Sequence, residues 1–146
     1  MLTWSHRFNR RVHTVTEAYT EYEFDGQLGG NENDGPVQSF GNGGGGAAPV
    51  IPGRSGAQAI VNYTQYMFNP KDYATFRSDF LDDGQGQRTG VPNRYSSYTL
   101  GLTHWTSHNI IVRPEIRYER AWDNPVYDNG TRQNQVLVQS DLILRF

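Results

Sequence analysis

The sequence predicts an all-β protein, an antiparallel up-and-down sheet of about seven strands, and three observations lead to this fold class. Apolar and polar side chains alternate along many short segments, a period of two that is typical of strands. The connections between these segments alternate between short and long. Aromatic residues, which favour strands, make up 13% of the chain, and sixteen glycines are available for turns.

Composition restricts the class of protein further. Only 36% of the 146 residues are hydrophobic, and no segment approaches the roughly 20 consecutive apolar residues of a transmembrane helix. A membrane-spanning β-strand needs only about 10 residues and presents apolar side chains at every second position. The chain has no cysteine, which excludes disulfides and thiolate metal sites. Its net charge of −2 provides no basic footprint for nucleic acid.

Charged and apolar faces separate most clearly near the C-terminus. In segments 109–120 and 135–146, one face carries the charged side chains Arg113, Glu115, Arg117, Glu119, Asp141 and Arg145. The opposite face carries Val112, Ile116, Tyr118, Val138, Leu142 and Leu144. A series of charges cannot lie in a dry core. We therefore expect the first face to contact water and the second to contact an apolar medium.

The remaining strands and their connections predict a transmembrane barrel. Further strands are expected at 2–8, 12–24, 57–68, 73–81 and 95–106, with Arg77 and Asp79 on one face of 73–81. The tight connections are 9–11, 69–72 and 107–108, whereas 25–56, 82–94 and 121–131 are long and rich in Gly, Asn and Asp. Outer-membrane barrels have short periplasmic turns and long external loops. We accordingly interpret 25–56 as a long, glycine-rich external loop.

A candidate pore lining follows from the charged face. It consists of Arg77, Asp79, Arg113, Glu115, Arg117, Glu119, Asp141 and Arg145. Charges of both signs at close range can select permeating solutes by charge. The alternative is an ion-pair network that only keeps a lumen hydrated and rigid. Aromatic side chains near strand ends or on outward faces suit the membrane interface, and these are Tyr63, Tyr66, Phe68, Tyr73, Trp105, Tyr118, Trp122 and Phe146.

No motif points to catalysis or to a metal. The clusters at Asp79, Asp82, Asp83 and at Asp123, Asp128, Asn129 do not match a calcium-binding loop, and solvated loop turns explain them better. The histidines lack metal-binding spacing. A Ser107–His108 pair has no motif that sets a base against a nucleophile. We expect no enzyme activity, no cofactor and no metal.

Several short motifs point to one family. They are Trp4-Ser-His-Arg-Phe-Asn9, Thr16-Glu-Ala-Tyr19, Arg88-Thr-Gly90, Arg113-Pro-Glu-Ile-Arg-Tyr118 and Asp141-Leu-Ile-Leu-Arg-Phe146. Together they resemble the C-terminal half of the OmpL-like β-barrel porins, over nearly the whole chain apart from the glycine-rich loop. The most specific part is the 113–118 motif with the Asp-Asn-Gly loop after it.

The resemblance implies an outer-membrane channel for passive diffusion of small hydrophilic solutes or ions. A structural or adhesive outer-membrane barrel without channel activity is the alternative, and a soluble β-sandwich that binds carbohydrate through its aromatics is a third. The family also has a signal peptide and an N-terminal half. Neither is visible here, so residues 1–146 are expected to be the C-terminal part of one barrel domain, a fragment of a longer chain.

Four partners are expected on the same grounds: outer-membrane lipid, the missing N-terminal strands of the same barrel, a second copy in a homo-oligomer, and the barrel-assembly machinery. The assembly machinery would recognise Phe146, which has Val138, Leu142 and Leu144 at alternate positions behind it. The terminal alternation also fits a barrel-closing strand, and both roles are compatible. No nucleic-acid partner is expected.

Overall fold

The computed structural model describes residues 1–29 and 49–145. These residues form one sheet of seven antiparallel strands in chain order, with no helix among them. The strands are β1 (Leu2–Arg7), β2 (Val12–Phe24), β3 (Arg54–Asn69), β4 (Asp72–Asp83), β5 (Asn93–Trp105), β6 (Ile110–Ala121) and β7 (Asn134–Leu144). The predicted all-β, up-and-down fold is confirmed. The sheet is open, as expected of a partial barrel, because β1 and β7 each pair with one neighbour only.

The strands extend further toward the long loops than the alternation of side chains predicted. The ladder between β2 and β3 continues to the pair Phe24 and Arg54, and that between β4 and β5 continues to Asp83 and Asn93. Strand β3 therefore begins three residues before the predicted start at residue 57. Backbone hydrogen bonds add pairs at a strand end whatever the side chains are, so polar and glycine residues can lie in a strand without contributing to the alternation.

The register gives every strand the same two faces. Along one line across the sheet, Thr3, Glu17, Val61, Asp79, Ser97, Glu119 and Gln135 are successive partners. Directly paired residues in antiparallel strands point to the same side. Odd-numbered strand residues therefore share one face, here called the odd face, and even-numbered ones share the other, here called the even face.

The turns between β1 and β2 and between β3 and β4 are closed by asparagine side chains. Asn9 Oδ1 accepts hydrogen bonds from the backbone N–H groups of Arg11 and Val12 at 2.7 and 3.0 Å. Asn69 Oδ1 likewise accepts from Lys71 N–H at 2.8 Å. Asparagine favours turns because its amide can replace a backbone partner two residues away. These turns place β1 beside β2, and β3 beside β4, with few residues between the paired strands.

A small core lies at the long-loop end of the sheet. It contains Tyr95, Ala121, Val126 and Tyr127, with Leu81 and Val91 packed against it. Elsewhere the sheet is a single layer, and large apolar side chains on the even face are exposed. Within the described ranges, no helix is long and apolar enough to cross a membrane.

Candidate functional site

The predicted charged ladder of β6 lies on the odd face. The guanidinium of Arg117 contacts a carboxylate on either side, with N–O distances of 3.2 Å to Glu115 and 3.5 Å to Glu119. It also donates a hydrogen bond from Nε to Thr99 Oγ1 on β5 at 3.2 Å. Residues two apart on a strand project in the same direction, which is why these charges meet. Glu119 is only 2% exposed, so its carboxylate depends on these partners.

Neighbouring strands continue the ladder. Arg77 and Asp79 form an ion pair at 2.5 Å, and Asp79 accepts a hydrogen bond from Ser97 Oγ at 2.6 Å. Arg113 pairs with Asp141 across β6 and β7 at 2.6 Å. On β7, Gln135 donates to Glu119 at 2.5 Å and Gln139 donates to Glu115. Seven of the eight predicted residues thus form ion pairs on the odd face, in three groups: Arg77 with Asp79, Arg113 with Asp141, and Arg117 with Glu115 and Glu119.

Arg145 lies outside these groups of ion-paired residues. It follows β7, and its backbone N–H donates to Asn109 O at 2.9 Å. Its guanidinium lies 4.8 Å from the centre of the Trp105 ring, a cation–π contact at the short-turn end of the sheet. The strand ladder ends before Arg145, which explains its separation from the other charges.

The even face is apolar over β4 to β7. Register pairs Val112 with Leu142 and Ile116 with Val138. Ile116 is 50% exposed and Val138 79% exposed, and Tyr118, Leu142 and Leu144 are exposed on the same face. Further exposed side chains of this face are Phe76, Phe80, Tyr98, Leu100, Leu102 and Val136. A contiguous apolar surface of this extent is typical of a membrane or protein contact.

The loop between β4 and β5 folds over the odd face. Fully buried Asp83 accepts three hydrogen bonds through Oδ2, from Arg88 N–H at 3.1 Å, from Thr89 N–H at 2.8 Å and from Thr89 Oγ1 at 2.7 Å. This turn directs the Arg88 guanidinium to Glu21 on β2, with an N–O distance of 3.2 Å. Arg88 therefore connects the loop to the far side of the odd face.

Glycine is required at position 86, where the loop between β4 and β5 contacts the connection between β2 and β3. Its φ is +74°, and a Cβ there would lie 2.8 Å from Leu28 Cδ1. Its carbonyl accepts hydrogen bonds from Gly29 N–H at 2.8 Å and Gly90 N–H at 2.9 Å. Glycine permits both the left-handed backbone and the close approach.

The loop between β6 and β7 also folds inward. It brings buried Tyr127 and Val126 against Tyr95 and Ala121. Burial raises the pKa of the Tyr127 phenol, and the nearby Glu119 carboxylate acts in the same direction. Arg94 and Asp123 anchor the loop with an ion pair at 2.6 Å. The Arg94 hydrogen bond lowers the pKa of Asp123.

The family comparison agrees with this two-faced sheet. The sequence profile of the family described as "Putative beta-barrel porin-2, OmpL-like" matches residues 10–146. The chain belongs to this family. No curated protein and no solved structure is significantly similar to this OmpL-like chain.

Two cavities open on the odd face of this OmpL-like sheet. One, of about 390 Å³, lies under the inward-folded loops and is lined by residues that include Tyr19, Tyr63, Arg77, Arg88 and Tyr127. The other, of about 260 Å³, lies closer to the short turns and is lined by residues that include Gln65, Thr75, Gly101, Arg113 and Asp141. The odd face therefore has one depression near the long loops and another nearer the short turns.

Two expectations from the sequence require correction. Tyr63 lies in the middle of β3 on the odd face, opposite Arg77, and not at a membrane interface. Both faces of its segment carry apolar groups, so the alternation alone could not orient it. Asp83 is not in a solvated turn but is fully buried at the end of β4, where its Oδ2 accepts hydrogen bonds from the following loop. Among residues 1–29 and 49–145, no group of three His, Cys, Asp or Glu side chains is arranged to hold a metal.

Sequence reasoning missed the contribution of the loops. Arg88 appeared only within a family motif, and Glu21 was not among the predicted site residues. The signal that could have identified Glu21 is its odd-numbered position, since Glu17, Glu21 and Glu23 alternate with uncharged side chains as the β6 charges do. Phe146 and most of the loop predicted at 25–56 lie outside the described residues.

Proposed function

We propose that the chain is part of an outer-membrane channel through which small hydrophilic solutes or ions diffuse passively. The observation that carries this proposal is one single-layer sheet with ion-paired charges on the odd face and exposed apolar side chains on the even face. Apart from the inward-folded loops at the long-loop end, no second layer covers either face in the described part of the chain. Such a sheet is stable where one face meets water and the other meets acyl chains.

Barrel closure is the second part of the proposal. A spanning sheet cannot leave backbone groups unpaired in lipid, and the outer edges of β1 and β7 are unpaired among the described residues. We infer that further strands of the same barrel pair with these edges. The odd face would then line the lumen, with Arg77, Asp79, Arg113, Glu115, Arg117, Glu119 and Asp141 as wall residues and Arg145 at the short-turn mouth.

Conductance in planar bilayers tests the channel. The full-length protein that contains this chain, purified from outer membranes and reconstituted, should produce stepwise ion currents. Heat-unfolded protein from the same preparation is the control and should produce none. Persistent absence of current from folded protein would contradict the channel.

A second candidate is a structural or adhesive barrel without channel activity. The inward-folded loops favour this candidate. Arg88 and Tyr127 lie over the odd face at its long-loop end and would narrow a lumen there. It predicts folded, membrane-inserted protein without current. Replacing Arg88 by glycine would then leave the bilayer silent, whereas a channel restricted by this loop would show larger current steps.

A further inference from the structure

The cavity under the inward-folded loops, here called the capped cavity, has the dimensions of a small-molecule site. Its volume is about 390 Å³, and ligand sites usually occupy about 300–1,000 Å³. Side chains of β2 to β6 form its floor, while Arg88 and Tyr127 reach it from two different loops. Both loops are held by buried or ion-paired anchors, so the cavity is built before any ligand arrives.

The charges of the capped cavity sum to zero and are already compensated. Arg77 is paired with Asp79 at 2.5 Å, and Arg88 is paired with Glu21 at 3.2 Å. Glu119 contacts Arg117 and accepts a hydrogen bond from Gln135. An ionic ligand would have to break one of these pairs and leave a charge uncompensated. A neutral ligand could add hydrogen bonds without breaking any, because a carboxylate accepts at several positions and a guanidinium has five donors.

Tyrosine rings supply apolar surface beside these polar groups. Tyr19, Tyr63, Tyr95 and Tyr127 all line the cavity. The centre of the Tyr63 ring lies 5.9 Å from the guanidinium carbon of Arg77. The centre of the Tyr19 ring lies 5.9 Å from that of Arg88. Aromatic rings next to hydrogen-bonding groups match a ligand with an apolar face and a polar rim. A sugar ring has this form, with C–H groups on its face and hydroxyls around its edge.

We propose that the capped cavity binds a neutral, hydroxyl-rich solute of the saccharide class. This inference rests on the proposed channel and names the kind of solute that the channel would hold in passage. The guanidinium groups would donate hydrogen bonds to sugar hydroxyls, and the carboxylates would accept hydrogen bonds from them. The faces of the tyrosine rings would pack against the sugar ring.

Maltotriose is a suitable probe, added to the reconstituted full-length protein while ion current is recorded. We expect a concentration-dependent block of the current. Polyethylene glycol of matched mass is the control for size, since it lacks hydroxyl rims and ring faces. Saturation-transfer NMR on the protein in detergent measures maltotriose binding independently of current.

Matched variants of β3 locate the site. Tyr63→Ala should weaken maltotriose binding about tenfold, the effect of losing one packed aromatic ring. Tyr63→Phe should keep most of the binding, which shows that the ring is needed and that the variant folds. Tyr66→Ala, on the even face of the same strand, should leave binding unchanged. Asp79→Asn should weaken binding and, by freeing Arg77, increase the affinity for an anion such as succinate.

The outcomes separate the site from the channel. Absence of current together with maltotriose binding that Tyr63→Ala weakens would refute the channel and support the site. Normal current with no maltotriose binding would refute the site and leave the channel intact. Equal block by polyethylene glycol, or tighter binding of succinate than of maltotriose to the unmodified protein, would overturn the saccharide assignment.

Discussion

Asp83 shows how one residue can organise a loop. Its carboxylate is fully buried and accepts three hydrogen bonds from Arg88 and Thr89. Thr89 Oγ1 in turn accepts a hydrogen bond from Tyr95 OH at 3.1 Å. Because buried donors without acceptors are costly, the loop conformation depends on this carboxylate. The position of the Arg88 guanidinium over the odd face follows from it.

Replacing Asp83 should therefore release the loop. In Asp83→Ala, each donor left unpaired costs about 1–3 kcal/mol, and we expect Arg88 to leave Glu21. Limited proteolysis between β4 and β5 measures the release, and cleavage should become much faster. Asp82→Ala is the matched control, because among the described residues the Asp82 carboxylate accepts a single long hydrogen bond, from Gln58 at 3.4 Å. Equal cleavage of the two variants would contradict this role.

Ionisation of Tyr127 should make the stability of the loop between β6 and β7 depend on pH in the alkaline range. Burial raises the pKa of its phenol, so the folded loop favours the protonated form. The stabilisation is complete below the ordinary tyrosine pKa near 10 and is lost as pH rises above it. We expect the loop between β6 and β7 to become susceptible to proteolysis in that range.

The Tyr127→Phe variant is the control for this effect. It keeps the ring but has no phenol to ionise, so its loop should stay protected at the same alkaline pH. A difference in phenolate absorbance between the two proteins assigns the titration to Tyr127. Titration of Tyr127 near pH 10, as for an exposed tyrosine, would contradict its burial.

At the scale of the element, β7 contains the two-faced arrangement in its simplest form. Val138 and Gln139 are neighbours in sequence and both are exposed, yet Val138 pairs with Ile116 and Gln139 with Glu115. The period of two separates them by face alone. Their environments differ only if the even face lies against lipid.

Arginine placed at each position should have opposite consequences. Val138→Arg should destabilise the membrane-inserted protein by about 2–4 kcal/mol, the cost of arginine near the bilayer midplane. Gln139→Arg should be nearly neutral, because the odd face would be wet and Glu115 is adjacent. Denaturant unfolding in lipid vesicles measures both. A similar loss of stability in the two variants would contradict lipid contact at the even face.

At the scale of the whole molecule, we propose that insertion into the outer membrane depends on the alternating apolar residues up to Phe146. The terminal aromatic Phe146 follows Leu142 and Leu144 at alternate positions. Deleting Phe146 should slow insertion into the outer membrane, and heat-modifiable migration on gels measures the folded fraction. Arg145→Ala is the matched neighbour and should insert at the normal rate. Normal insertion without Phe146 would mean that the terminal pattern serves only to complete the last strand.

The alternation of side chains was sufficient to predict the seven strands, their order and the common face of seven charges, which are Arg77, Asp79, Arg113, Glu115, Arg117, Glu119 and Asp141. This success has a physical cause, because in a single-layer sheet with one polar and one apolar face the side chains must alternate in polarity residue by residue. The sequence by itself therefore determined the up-and-down topology and most of the charged ladder. It also determined the resemblance to the OmpL-like family, which the profile match confirms.

The tertiary structure decided what the loops do. That Arg88 reaches Glu21, that Asp83 is buried and that Tyr127 packs on Tyr95 depend on contacts between residues far apart in sequence. Loops have no periodic pattern, and their conformation is set by donors and acceptors supplied by other segments. Tyr63 was misplaced for a related reason, since its strand is apolar on both sides and only the register with Arg77 orients it.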